Sequence, residues 1–163
     1  MGQVIPREQI SQVLAPHRGR DVIVCTNGCF DLLHVGHLRY LQAARSYGDL
    51  LVIALNSDAS VRGLKGPERP IVPESDRAEL LAGLTCVDYV VLFDEPTPVE
   101  LIREIRPNIQ VKGAQYTEET LPEMPVLREL GIELRLVPMV DNRSSTNLIE
   151  KIKGLVSAAP TCS

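Results

Sequence analysis

The chain has no long apolar run, no surplus of basic residues and no compact cysteine framework. Each absence excludes something. A bilayer-spanning helix needs about twenty consecutive apolar residues, and no stretch approaches that. Seventeen Lys and Arg stand against 21 Asp and Glu, a net charge of −4, which is the wrong sign for gripping a nucleic-acid backbone. The four cysteines, Cys25, Cys29, Cys86 and Cys162, are scattered, so they read as reduced thiols of a cytosolic protein. Met1 to Pro6 lacks a basic region followed by an apolar one; no secretory leader is expected, and the expected location is cytoplasmic. No internal repeat or second domain boundary breaks the chain, and 163 residues suffice for one sizeable core.

The rest is an alternation of strand and helix patterns. After Pro6, Ile10, Val13 and Leu14 take helical spacing, and Pro16 to Arg20 form a turn, so residues 1–20 read as a helix and turn. Asp21 to Cys25 is a buried strand by its β-branched content, and Leu38 to Ala44 continues as a helix that Gly48 stops. Leu50 to Leu55 is apolar on both faces, as in a parallel sheet covered by helices. Ala59 to Pro73, rich in glycine, proline and charge, reads as a mobile loop of lid type. Ser75 to Leu84 is a helix with Ser75 or Glu74 as cap, and Val87 to Phe93 a third strand. Thr97-Pro98 opens a helix to Arg106. Ile109 to Val111 and Ile132 to Val137 complete five strands, with a helical turn from Val126 to Leu130 between them. A last helix runs from Asn147 to Val156. The main domain is expected over 21–153 and a frayed tail over 154–163. The pattern calls for a Rossmann-like, doubly wound α/β domain with a five-stranded parallel sheet and helices on both faces. Such sheets bind ligands outside the carboxyl ends of their strands, where strand order reverses.

Every notable polar cluster falls at such an end. Thr26-Asn27-Gly28-Cys29-Phe30-Asp31 leads from the first buried strand to His34-Val35-Gly36-His37, where the next helix begins. A helix start offers free N–H groups and a positive dipole end, which suit phosphate. His34 and His37, two of only three histidines, project on one side of that helix, and Gly36 opens the backbone between them. Cysteine with histidine is also zinc chemistry, and Cys25, Cys29, His34 and His37 fall within thirteen residues. Against zinc, Cys25 sits inside a buried strand, where a thiol acts as a small apolar group. Lys65 could be a solvated loop lysine or a cation closing over phosphates. Arg62, Arg69 and Arg77 could be surface ion-pair partners or phosphate forks. Asn56 and Asp58, Lys112 and Gly113, and Ser144-Ser145-Thr146 stand at other strand ends. Asp31 or Asp58 could ligate Mg²⁺ or serve as caps and turn formers. The Ser144 to Thr146 hydroxyls could cap the last helix, bind a terminal phosphate, or both.

The block from Gly28 to His37 resembles the Gly-x-Phe-Asp-x-x-His-x-Gly-His signature of the cytidylyltransferase-like nucleotidyltransferases. Asn56 to Val61, Leu64 to Gly66, Arg69 to Ile71, Arg77 to Ala82, Val87-Asp88, Thr97-Pro98, Val111 to Gly113 and Ser145-Thr146 narrow the likeness to the heptose-1-phosphate adenylyltransferases. It departs at Gln115, where such enzymes carry aspartate, and at Glu123 to Gly131, which lacks a double glycine. Ile149 stands where wider relatives have arginine. The resemblance implies a stand-alone transferase moving AMP from ATP to a sugar phosphate, with Mg²⁺, no nucleic acid or membrane partner, and a homodimer. It implies His34, His37 and Lys65 as catalytic groups. Thr26, Asn27, Gly28, Cys29, Phe30, Gly36, Asn56, Asp58, Arg77, Lys112, Gly113, Ser144, Ser145 and Thr146 would surround the nucleotide. The alternative readings of the chain are a cytidylyltransferase or FMN adenylyltransferase using the same site, or a non-catalytic nucleotide-binding module.

Overall fold

A computed structural model describes residues 1–138 and 145–157. Its sheet is wholly parallel, in the order β1-β4-β3-β2-β5-β6. The strands are β1 (Gln3–Val4), β2 (Ile23–Gly28), β3 (Leu50–Asn56), β4 (Tyr89–Phe93), β5 (Ile109–Gly113) and β6 (Glu133–Val137). The helices are α1 (Ile10–Leu14), α2 (Val35–Arg45), α3 (Asp58–Lys65), α4 (Glu74–Ala82), α5 (Val99–Ile105), α6 (Met124–Leu130) and α7 (Ser145–Ser157). Five strands were expected, and those five are present. The sixth, β1, is a two-residue edge strand that pairs Gln3 and Val4 with Tyr89 and Val90. It is too short to leave an alternating pattern in the sequence.

The pleat of β2 sorts the core. Val24 faces a cluster with Tyr40, Leu41 and Ala44 of α2 and Leu81 of α4. Ile23 and Cys25 face the opposite layer, with Ile10, Leu14, Leu101 and Ile105 of α1 and α5. Leu51 to Leu55 in β3 are buried on both faces, as a strand between two helical layers requires. Cys25 therefore lies across the sheet from α2 and its histidines, so the zinc set weighed above cannot assemble.

Two expectations are corrected. The first half of the segment expected as a mobile loop is helix: α3 occupies Asp58–Lys65, with Ser57 capping it through a bond from the Ser60 amide. Val61 turns into the core, and one buried apolar residue beside a buried serine gives no readable period. The last helix continues through Gly154, where a tail was expected to begin, to Ser157; the rest of the expected tail lies outside the described residues.

The strand order reverses between β2 and β5, which pair from Val24↔Ile109 to Thr26↔Val111. Here Tyr40 of α2 donates its hydroxyl to the Val111 carbonyl at 3.0 Å and accepts from Thr26 Oγ1 at 2.7 Å. The bonds fix α2 across the switch point. At the opposite end, Gly48 passes so close to β2 that a Cβ there would stand 2.6 Å from both the Val22 oxygen and Val24 Cγ2. Gly48→Ala should therefore cost about 1–3 kcal/mol by overpacking. A urea midpoint equal to that of the parent chain would show that the turn yields freely.

Candidate active site

The sequence from Cys29 to Leu32 makes a tight turn out of β2. Phe30 and Leu32 take left-handed φ values of 45° and 51°, a conformation that costs on the order of 1–3 kcal/mol per residue. Three elements hold it. Asp31 accepts from Arg69 Nε at 2.7 Å and from the amides of Ile71 and Val72 at 2.9 and 3.0 Å. Ser145 at the start of α7 donates its hydroxyl to the Asp31 carbonyl. Arg77 of α4 donates to the Cys29 carbonyl at 2.6 Å. Burial opposes the Asp31 charge, but its amide and guanidinium donors outweigh that and hold its carboxyl below the usual range.

The turn delivers the chain to His34, which caps α2: its Nδ1 accepts from the Gly36 amide at 3.1 Å. An accepting Nδ1 places the proton of neutral His34 on Nε2. The His37 ring stacks on it, centroids 3.9 Å apart, with the Phe30 edge 5.4 Å away. Burial first, then the neighbouring His34 and Lys65, push His37 down to about 4. His37 is therefore neutral near pH 7. Its Nδ1 is buried without a protein hydrogen bond.

A cavity of about 440 Å³ opens at this mouth. It brings together Asn27, Gly28, Cys29, Phe30, His37, Asn56, Lys65, Lys112, Gly113 and Ser145, all named from sequence. Lys65 reaches it from the end of α3, exposed and without an ion pair among the described residues. Thr26 is displaced: it is fully buried beneath the wall, bonded to Tyr40. Gly36 does not line the cavity, its amide being turned to His34. Thr146 lines a neighbouring cavity. Ser144 lies outside the described residues.

Five charged residues are committed to partners within the protein. Arg77 is neither a surface ion-pair partner nor part of the cavity wall. Its side chain is 1% exposed, with Nε on the Val72 carbonyl, Nη1 on those of Cys29 and Asn56, and Nη2 on Asp58. A helix with Asp76 and Glu79 beside Arg77 gives no hint that the arginine faces inward. Lys112 is also committed: it meets Glu123 at 3.0 Å, Asn27 Oδ1 at 3.1 Å and the Tyr116 ring at 4.8 Å. Asp31 and Asp58, the two candidate Mg²⁺ ligands, are bound to Arg69 and Arg77. No group of three metal-binding side chains occurs among the described residues. Glu74 does not cap its own helix but accepts from the Asp58 amide at 2.6 Å.

Sequence reasoning missed Glu123 and Tyr116. Glu123, 1% exposed, comes into the wall where α6 begins, and nothing in its neighbourhood marks it as buried. Gln115 folds over Gly113 so closely that a Cβ on that glycine would lie 2.1 Å from its Oε1.

Replacing Arg77 tests the clamp. Arg77→Met should cost about 3–5 kcal/mol, because it strands Asp58 and three carbonyls. Arg77→Lys should not rescue it, since one ammonium cannot span four acceptors. Full recovery by lysine in urea unfolding would refute the clamp. A second test uses His37. Its folded-state value near 4 lies below the ordinary 6.5, so the unfolded chain takes up the proton first. Stability should fall as pH drops from 6.5 toward 4, and His37→Gln should remove that part of the slope. Parallel curves for the two proteins would mean that the ring is open to water.

Comparison with known proteins agrees with this geometry. The family model described as cytidylyltransferase-like matches residues 25–153. Bifunctional protein HldE of Syntrophotalea carbinolica is 56% identical over 147 residues, 90% of this chain and 30% of that protein. HldE of Geotalea uraniireducens is 57% identical over 131 residues, 80% of this chain and 27% of that protein. The chain thus spans less than a third of those relatives. A lipopolysaccharide core biosynthesis protein from Thermoplasma volcanium superposes with a TM-score of 0.63 at 29% identity, covering 76% of this chain and 99% of that one. Pantothenate synthetase from Thermus thermophilus shares the fold alone, with a TM-score of 0.62 at 19% identity over 93% of this chain and 70% of that one. With the signature turn, the stacked histidines and a matched domain that covers most of its length, the chain belongs to the cytidylyltransferase-like family of nucleotidyltransferases.

Proposed function

We propose that the chain transfers AMP from ATP to a heptose 1-phosphate, releasing pyrophosphate and giving ADP-heptose. The observation that carries this reading is His37 in the wall of the switch-point cavity, stacked on His34 behind it, with Lys65 in the same wall. The motif series shared with heptose-1-phosphate adenylyltransferases supports the choice of base and acceptor, as does the identity to HldE.

In the reaction an oxygen of the sugar phosphate attacks the α-phosphorus of ATP. The new oxygen–phosphorus bond forms as the bond to the β-phosphate bridge breaks, and the electron pair leaves with pyrophosphate. The attacking oxygen is already ionised, so no base is required. That agrees with a His37 that is neutral near pH 7, because a neutral imidazole still donates one N–H. His34 and His37 would hydrogen-bond to oxygens that gain charge in the transition state. Lys65 would meet the charge on the departing pyrophosphate. Arg77, Asp31 and Ser145 act as positioning residues, holding the turn in place. Mg²⁺ fits this scheme through the nucleotide. With Asp31 and Asp58 committed to arginines, phosphate oxygens and water would hold the ion, and it would lower repulsion among the phosphates.

Pyrophosphate release should appear with ATP and heptose 1-phosphate and be at least tenfold weaker with CTP or with FMN as acceptor. CTP belongs in the panel because Gln115, at the cavity wall, replaces a carboxylate of the family pattern. His37→Ala should lower kcat by about a hundredfold to a thousandfold, ~3–4 kcal/mol, with ATP affinity nearly kept. ATP binding without turnover on any acceptor would favour a nucleotide-binding module instead.

A further inference from the structure

The wall of the histidine cavity carries a second lysine and a carboxylate that the transfer scheme does not use. Lys112 and Glu123 line that cavity together with Asn27, Tyr116, His37 and Lys65. Lys112 is 7% and Glu123 1% exposed, and their charged ends stand 3.0 Å apart. The oxygen concerned, Glu123 Oε1, is buried and makes no hydrogen bond, so the pair is held by charge alone. Stability does not call for it, because apolar residues packed in place of a buried ion pair are often as stable or more so. What the carboxylate changes is the state of Lys112.

An ammonium has three N–H donors. Here the group meets Glu123, Asn27 Oδ1 at 3.1 Å and the Tyr116 ring at 4.8 Å from its centroid. Asn27 Oδ1 also accepts from Gln110 Nε2 at 3.1 Å. With both lone pairs of Oδ1 engaged, Nδ2 is the group that Asn27 has left for a ligand. The wall thus offers a neutral, oriented amide where an unpaired lysine would offer a mobile positive charge.

Resting on the transfer reading above for the identity of the polyphosphate, we propose that Glu123 is a positioning residue that neutralises and restrains Lys112, and so limits how tightly the cavity holds pyrophosphate. A cation already paired must give up its pair to bind phosphate, which weakens the hold on a resting polyanion. Pyrophosphate then leaves against the pull of one open lysine, Lys65, rather than two.

Calorimetry with magnesium pyrophosphate tests the restraint. Glu123→Gln should bind pyrophosphate at least fivefold more tightly than the wild type, and the gain should shrink in high salt because it is coulombic. Adding Lys112→Met to that variant should return the affinity to within twofold of the wild type. A merely structural role predicts weaker binding by a loosened wall. Equal or weaker binding by Glu123→Gln overturns the restraint, as does a gain that persists without Lys112. Should Glu123→Gln fail to fold, the double variant, which leaves no buried charge unpaired, decides by itself. An affinity within twofold of the wild type upholds the restraint, and a larger fall shows that Lys112 already grips the polyphosphate and overturns it. None of these comparisons requires turnover, so a wild type that releases no pyrophosphate from ATP fails the transfer reading alone.

Discussion

One buried guanidinium joins the parts of this molecule that would otherwise move independently. Arg77 bonds the turn after β2 through Cys29, the end of β3 through Asn56, the start of α3 through Asp58, and the segment before its own helix through Val72. Three backbone carbonyls at strand and loop ends would otherwise need water or another donor. One planar group satisfies all three because its donors radiate in a fixed fork. Burying that charge is costly, and Asp58 offsets the cost. The left-handed Phe30 and Leu32 depend on this, since strained backbone persists only where its surroundings over-determine it.

From that fixed turn the cavity's shape follows by the pleat of two strands. Cys25 and Val24 lie on opposite faces of β2, so Asn27 continues the α1 and α5 face and the turn at Gly28 comes off the α2 face. Asn27 accepts from Gln110 and Lys112 of β5, and Lys112 in turn holds Glu123. His37 and Phe30 belong to the α2 side. The cavity therefore straddles the carboxyl end of the sheet, with a paired polar network on one side and stacked rings on the other. A planar base with a charged tail suits a site divided in this way.

Much of this was legible in the sequence. Buried strands, glycine turns and the histidine pair have short-range signatures, and the five principal strands and the switch-point site follow from them. What was not legible depends on which way a polar side chain turns. Arg77 and Lys112 look like ordinary cations until the fold encloses them, and Asp31 looks like a metal ligand until Arg69 and two amides surround it. Helix α3 escaped notice because its one core contact, Val61, gives no period, and glycine at position 63 reads as a loop. Glu123 is carried into the wall by the packing of α6 against α5 rather than by any local pattern.

The charges then explain how an acidic protein presents a site for phosphates. Three cations near the cavities are neutralised where they stand: Arg77 by Asp58, Arg69 by Asp31, Lys112 by Glu123. The two histidine rings are stacked, and His37 is held neutral near pH 7. Among the described residues that line the cavities, Lys65 is the cation without an ion pair, and it stands where the two cavities meet. A site lined by unpaired cations would hold any polyanion, product included, and would repel its own charges when empty. With most of the charge paired in advance, affinity comes from directed donors, which discriminate by geometry. On the transfer reading proposed above, such a site would favour phosphates that arrive partly neutralised and oxygens that gain charge during reaction, and would therefore bind a reacting polyphosphate better than a resting one.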